Sequence, residues 1–136
     1  MKKIGILILL SHALFLSACL NGEQGVPLSD DIKEISISES EGFSGINADF
    51  FLVMRETSKV EEIMKNAEEV ETDVAENGAE ENRYDFVIKY ESEGARLLHL
   101  FLGDKGEKSL FTFTGYDQEG YETTPEETAA LRRLLE

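Results

Sequence analysis

Cysteine, tryptophan and positive charge are what this sequence has least of. It contains one cysteine, Cys19, and no tryptophan, and 28 acidic residues against 13 basic ones give it a formal net charge of −15. A single cysteine excludes an intramolecular disulfide and a cysteine-rich zinc site. A chain this acidic is repelled by phosphate backbones and anionic lipid headgroups. We therefore expect no nucleic-acid binding and no domain that lies flat on a membrane.

Histidine and long apolar runs are also scarce. His12 belongs to the apolar stretch from Ile4 to Phe15, so His99 is the one histidine in the rest of the chain. A single histidine cannot build a histidine-rich metal site, and no G-x-S-x-G signature accompanies it. The sequence thus predicts a structural or surface role for His99, no catalytic residue, no cofactor and no enzyme activity. The apolar stretch is shorter than the roughly 20 residues of a membrane-spanning helix.

The N-terminal segment has the layout of a bacterial export signal. Lys2 and Lys3 precede the apolar stretch, and Leu16-Ser17-Ala18-Cys19 follows it. This tetrapeptide, made of Leu16, Ser17, Ala18 and Cys19, resembles the lipobox of bacterial lipoproteins, in which the cysteine thiol takes a diacylglyceryl group and becomes the first mature residue. The resemblance implies lipid attachment at Cys19 and a membrane-anchored, extracytoplasmic location. Two buried acyl chains, at about 0.8 kcal/mol per CH₂, anchor a protein durably.

Composition divides the chain into three parts. Residues 1–18 are the predicted signal peptide, and residues 19–31 are the lipidated cysteine and a flexible tether that mixes Gly, Pro and polar side chains. Residues 32–136 are long enough for one modest core and too short for two, so we predict a single acidic domain there.

Hydrophobic periodicity predicts an α+β fold for this domain. Strands are predicted around Ile35 and Ile37, from Phe50 to Met54, from Tyr84 to Tyr90, from Arg96 to Leu102 and from Ser109 to Thr114. Capping boxes at Ser58 to Glu61 and at Thr124 to Glu127 predict the starts of two helices. The order β-β-α-β-β-β-α favours a mostly antiparallel sheet of about five strands with two helices on one face.

The most acidic part of the domain runs from Glu68 to Glu81, and we predict a long loop there. Carboxylates are the hard oxygen donors that Ca²⁺ prefers, but their spacing does not match a calcium-binding loop. The pattern therefore indicates weak cation binding at most. The candidate ligands are Glu68, Glu69, Glu71, Asp73, Glu76, Glu80 and Glu81.

Four segments of the domain together resemble a known family. They are Val60 to Ala67, Tyr84 to Glu91, Leu100 to Gly103 and Thr123 to Leu135. They are similar to the YhfM-like small lipoproteins of Gram-positive bacteria, although the acidic stretch Ala79 to Asn82 departs from that pattern. The resemblance implies a lipoprotein of unassigned activity in a Gram-positive bacterium, and it brings no catalytic residues.

Two function classes follow from these features. The first is a tethered binding or protein-interaction module of the cell envelope, in which an exposed edge strand such as Ile35 to Ser38 accepts a strand of a partner protein. The alternative is an acidic domain that responds to Ca²⁺ through the loop from Glu68 to Glu81. The sequence specifies neither the partner nor the oligomeric state.

Overall fold

The structure, a computed structural model, describes residues 25–42, 45–72, 83–115 and 118–136. These ranges contain seven strands and two helices. In chain order they are β1 (Ile32–Glu39), β2 (Leu52–Met54), α1 (Ser58–Asn66), β3 (Glu68–Glu71), β4 (Arg83–Tyr90), β5 (Ala95–Phe101), β6 (Leu110–Phe113), β7 (Glu119–Glu122) and α2 (Pro125–Leu135). The predicted α+β class is confirmed.

The seven strands form one sheet in the order β2-β1-β4-β5-β6-β7-β3, and every pair is antiparallel. Strands β4 to β7 follow one another as a meander, because each is joined to the next by a connection too short to cross the sheet. After α1 the chain reaches the far side of the sheet, where β3 pairs with β7. The two edge strands are therefore β2 and β3.

The prediction of about five strands in the order β-β-α-β-β-β-α is wrong in both number and order. The described order is β-β-α-β-β-β-β-β-α, and the two missed strands are β3 and β7. The four residues of β3 are three glutamates and one valine, so no alternating apolar pattern marks them. The strand exists because its backbone pairs with β7, and tertiary pairing overrides weak local preference. Glu68 to Glu71 is thus strand rather than loop, and residues 73–81 lie outside the described residues.

The hydrophobic core lies on one face of the sheet. Residues that face each other across the strands, such as Ile35 with Ile88 and Leu100 with Phe111, point to the same side. Both helices pack against this side, since they contribute to the same buried cluster through Val60, Ile63, Met64 and Leu131. The prediction that both helices cover one face is confirmed.

Helix α2 begins as predicted. The Thr124 hydroxyl accepts a hydrogen bond from the Glu127 N–H at 3.2 Å, and the Glu127 carboxylate accepts one from the Thr124 N–H at 3.0 Å. Pro125 occupies the first turn, where its missing N–H costs nothing. The start of this helix is therefore encoded within a few consecutive residues.

Helix α1 begins differently, and the predicted capping box at Ser58 is wrong. The N-cap is Thr57, whose carbonyl accepts from the Glu61 N–H at 2.9 Å and whose hydroxyl donates to the Glu61 carboxylate at 2.7 Å. The Ser58 hydroxyl instead donates to the Glu56 carboxylate. The helix starts at Ser58 itself, so this side chain is already inside the first turn and cannot cap it.

Packing of the chain on the domain begins inside the segment predicted as tether. The Val26 N–H donates to the Met64 carbonyl at 2.9 Å, and the Val26 side chain belongs to the buried core. Gly25 has φ +100°, and a Cβ at this position would collide with the Lys65 carbonyl. A glycine is required for such a close approach of two backbones. The ordered part of the chain therefore extends at least to Gly25.

Candidate functional site

The sheet face opposite the helices carries a row of buried polar side chains. Ser38, Asp85, His99 and Thr112 face one another in succession across β1, β4, β5 and β6. Their relative exposures are 0%, 1%, 3% and 2%. Side chains alternate between the two faces along a strand, so these polar residues lie on the face away from the hydrophobic core. The low exposure is unexpected, because polar residues on the second face of such a sheet usually contact water.

Asp85 and His99 form the centre of this row. The His99 Nδ1 and Asp85 Oδ1 atoms are 2.7 Å apart, and the two side chains are 4% and 1% exposed. The second carboxylate oxygen of Asp85 accepts a hydrogen bond from the Asn47 N–H at 2.7 Å. The Ser38 hydroxyl donates to the Asn47 carbonyl at 2.6 Å. The segment that leads into β2 is thus held on the polar face by two hydrogen bonds at Asn47.

The other ring nitrogen of His99, Nε2, is buried and has no hydrogen-bond partner among the residues described. When the Asp85 carboxylate accepts the Nδ1 proton, Nε2 carries a free lone pair and the ring orientation is set by the carboxylate. A nitrogen held in this way is able to take a proton from a hydroxyl or a water molecule, which is the task of a general base. A cavity of about 160 Å³ reaches Asp85 beside Asn47.

Sequence reasoning missed this pair because it depends on strand register. Asp85 and His99 are 14 residues apart and face each other only because the β4–β5 hairpin is centred near residue 92. The sequence predicts the two strands of this hairpin but not their register. A shift of one residue would have placed the two side chains on opposite faces of the sheet.

The predicted cation ligands are only partly within the described residues. Glu68, Glu69 and Glu71 lie along β3, and alternation sends Glu68 to the opposite face from the other two. Glu69 and Glu71, with Glu119, line an open groove of about 720 Å³. Within the described ranges, no group of three or more His, Cys, Asp or Glu residues could hold a metal ion. The remaining candidates, Asp73, Glu76, Glu80 and Glu81, lie outside those ranges.

The predicted lipid-attachment segment lies outside the described residues. Leu16, Ser17, Ala18 and Cys19 precede Gly25, where the described residues begin. None of the helices in the described ranges has the length and apolar character needed to cross a membrane.

The predicted edge strand proves to be interior. Ile35 to Ser38 belongs to β1, which pairs with β2 on one side and with β4 on the other. The prediction was wrong because Leu52–Met54 covers that side of β1. The actual edge bears the exposed side chains of Phe51 and Val53, which are 50% and 53% exposed.

Comparison with known proteins shows a likeness of fold. No protein-family profile matches the sequence, and no curated protein matches it. The chain is similar in structure to a thioesterase-like protein from Clostridium sporogenes ATCC 15579, with a TM-score of 0.58 and 21% sequence identity. The similarity covers 77% of this chain and 94% of that one. At this level of identity the likeness concerns the fold alone.

This likeness corrects the prediction that the chain is not an enzyme. The fold is shared with a protein described as thioesterase-like, so the absence of a local catalytic signature does not exclude catalysis. The prediction was wrong because it considered only residues that are close together in sequence. The Asp85 carboxylate and the His99 imidazole are brought together by the register of β4 and β5.

Proposed function

We propose that this chain is a lipid-anchored protein of the extracytoplasmic face of the cell membrane, and that its acidic domain is a binding or protein-interaction module of the cell envelope. The anchoring is supported by the tetrapeptide from Leu16 to Cys19. It contains the chain's one cysteine and directly follows a basic and apolar N-terminal segment. That arrangement is typical of a signal whose cysteine receives lipid.

The packing of residues 25 and 26 supports a short tether. Five residues separate Cys19 from Gly25, the first described residue, which packs against the domain. Because an extended chain spans at most about 3.5 Å per residue, the free tether reaches about 20 Å. The C-terminal end of α1, against which Gly25 packs, would therefore stay near the lipid headgroups.

The interaction function is supported by the edge formed by β2. This short strand carries exposed apolar side chains, and no described strand pairs with its outer side. An unpaired edge can bind an additional strand through backbone hydrogen bonds alone. Such binding requires no catalytic residue or sequence motif.

Metabolic labelling tests the anchoring. The chain is expressed in a Gram-positive host that is fed an alkyne-bearing palmitate analogue, and the label on the purified protein is measured together with the mass of its N-terminal peptide. We expect label on the natural chain, none on Cys19→Ser, and full label on the control variant Ser29→Ala, which changes an exposed serine. Label on Cys19→Ser, or its absence from the natural chain, would contradict the proposal.

A second candidate function is hydrolysis of an acyl thioester, favoured by the Asp85–His99 pair and by the thioesterase-like description of the structural neighbour. In this reaction His99 Nε2 takes a proton from water while the water oxygen attacks the acyl carbonyl carbon. The carbon–sulfur bond then breaks, and the leaving thiolate receives a proton. Nε2 is buried, so a substrate would reach it only after the surrounding residues move. For this reason hydrolysis is the second candidate.

Thiol release from acyl-coenzyme A substrates of increasing chain length tests this candidate. The full chain with Cys19→Ser is used, so that the protein itself contributes no thiol. We expect release above the buffer rate, a loss of about a hundredfold or more with His99→Gln, and retention of activity with Lys105→Gln at an exposed turn position. Equal rates for the His99→Gln variant and its parent would exclude the mechanism.

A further inference from the structure

The β2 edge combines an unpaired backbone with exposed apolar side chains. Phe51 and Val53 are 50% and 53% exposed, and Leu52 and Met54 are half-buried. Edge strands in stable monomers are usually protected by charge, by proline or by a covering segment. Residues 50–54 contain neither a charged residue nor a proline. This edge therefore has the properties of an interface.

We propose that the β2 edge pairs antiparallel with the β2 edge of a second copy of this chain, with a two-fold axis at Leu52. The proposal rests on the interaction-module function and names its partner. In such an arrangement a residue that lies a given number of positions before Leu52 faces the residue that lies the same number of positions after Leu52 in the second copy. Phe51 then faces Val53 of the second copy, and Asp49 faces Arg55. A two-fold interface makes each of these contacts twice.

The proposed register makes the edge complementary to itself. The two exposed apolar side chains cover each other, and an acid meets a base at both ends of the paired segment. Asp49 and Arg55 are exposed, and the ion pairs present in the described ranges involve other residues. Both side chains are therefore free to pair with a second copy. A register shifted by two residues would separate the opposite charges.

Charge also explains why the second copy would bind here and not at the other edge. The chain carries a net charge of −15, so two copies repel each other over most of their surfaces. At the opposite edge, β3 presents Glu68, Glu69 and Glu71, and self-pairing would bring glutamates against glutamates. Of the two edges, only β2 offers an uncharged strand flanked by one acid and one base.

Disulfide cross-linking tests the site. The full chain carrying Cys19→Ser is kept in excess nonionic detergent, and a single cysteine is introduced either by Leu52→Cys in β2 or by Val70→Cys in β3. Both positions are half-buried and lie within an edge strand, so they are matched controls. We expect a cross-linked dimer for Leu52→Cys and at least about tenfold less for Val70→Cys. Equal yields at the two positions, or no dimer at position 52, would overturn the proposal.

Charge reversal tests the register. In the Leu52→Cys chain, Asp49→Arg and Arg55→Asp each place like charges together, and each should lower the cross-linking yield about tenfold. An equimolar mixture of the two variants should restore the yield, because the reversed charges then attract at both ends. The double variant should restore it as well. Both side chains are exposed, so the unfolding midpoints measured at concentrations where the chain is monomeric should not change.

A mixture that cross-links no better than either single variant would exclude this register. A general effect of net charge cannot produce the restoration, since the mixture and the double variant have the same mean charge as the parent chain. The labelling experiment at Cys19 is independent of these results, so the failure of the dimer and the failure of the lipid anchor are distinguishable.

Discussion

The two edge strands of the sheet, β2 and β3, differ in charge and in how they are attached. β3 carries three glutamates in four residues, and two of them face further glutamates of β7, namely Glu68 with Glu122 and Glu71 with Glu119. β2 carries no charge and has an exposed valine at its centre. Like charges that face each other across strands destabilise a sheet. They also repel any copy of the same edge.

A sheet edge is thus either protected by charge, which lowers its own stability, or left available for binding. β3 is the protected edge, because its charges oppose self-association even though they weaken its own pairing with β7. β2 is the available edge. The segment that leads into β2 is held on the polar face of the sheet by the hydrogen bonds that join Asn47 to Asp85 and Ser38. Four substitutions test this contrast.

Removing the Asp85 carboxylate should have the largest effect. Asp85→Ala leaves His99 Nδ1 and the Asn47 N–H without partners in a buried site, which should lower the free energy of unfolding by about 3 kcal/mol. Urea unfolding measures the loss. Amide exchange should accelerate at residues 45–54 more than at residues 68–71. The exposed Asp104→Ala is the control and should change stability by less than about 0.5 kcal/mol; a similar small loss with Asp85→Ala would mean that the pair does not support β2.

A side chain at Gly120 should loosen the other edge. A Cβ there would lie 2.6 Å from Leu110 Cδ1 and 3.1 Å from Thr72 Cγ2, so Gly120→Val should cost about 2 kcal/mol through overpacking. Hydrogen exchange should increase at residues 68–71 and remain unchanged at residues 52–54. Gln118→Ala, at an exposed position two residues earlier, serves as the control. Equal acceleration at both edges would show that they are not independent.

Reversing one acid of the β3 edge should stabilise it slightly. Glu71→Lys replaces a repulsive pair with an attractive one opposite Glu119, which should raise the free energy of unfolding by about 0.5 kcal/mol. Glu41→Lys makes the same change in net charge in an exposed loop, and a smaller gain is expected there. In the cysteine-free chain, Glu71→Lys should also increase cross-linking through Val70→Cys. An equal gain from both lysines would assign the effect to net charge alone.

Alkaline titration should give the smallest effect. Burial raises the pKa of Tyr121 above its ordinary value, and the charges of Glu69 and Glu119 raise it further. The unfolded chain loses the phenol proton at about pH 10, while the folded chain retains it, so stability falls as the pH rises above that value. Tyr121→Phe should unfold with a weaker dependence on pH between about pH 9 and 11. The same alkaline loss in both chains would rule out this contribution.

Local patterns were enough to predict the parts of the fold that depend on neighbouring residues. Thr124 and Glu127 cap α2 within one turn, and the alternation from Tyr84 to Tyr90 marks β4 because one of its faces is buried. The strands β5 and β6 follow by short turns. Each of these features is formed by hydrogen bonds or apolar contacts between residues near one another in sequence. A single sequence contains them directly.

The candidate site could not be predicted in the same way. His99 was expected to be structural or at the surface, and its burial is consistent with a structural role, but its pairing with Asp85 depends on the register of a hairpin. The predicted cation ligands in β3 were assigned to a loop because no periodicity marks that strand. Pairing with β7, some 50 residues away, decides its conformation.

By itself, the sequence determined the acidity of the chain, its α+β class, the start of α2 and the Cys19 motif that predicts a lipid anchor. Composition and short-range contacts are sufficient for these. Only the tertiary structure decided that β2 and β3 are the edges, that the second face of the sheet buries Asp85 against His99, and that Gly25 packs on α1. The physical reason is that strand pairing joins distant residues, and a shift of one residue in register changes which side chains meet.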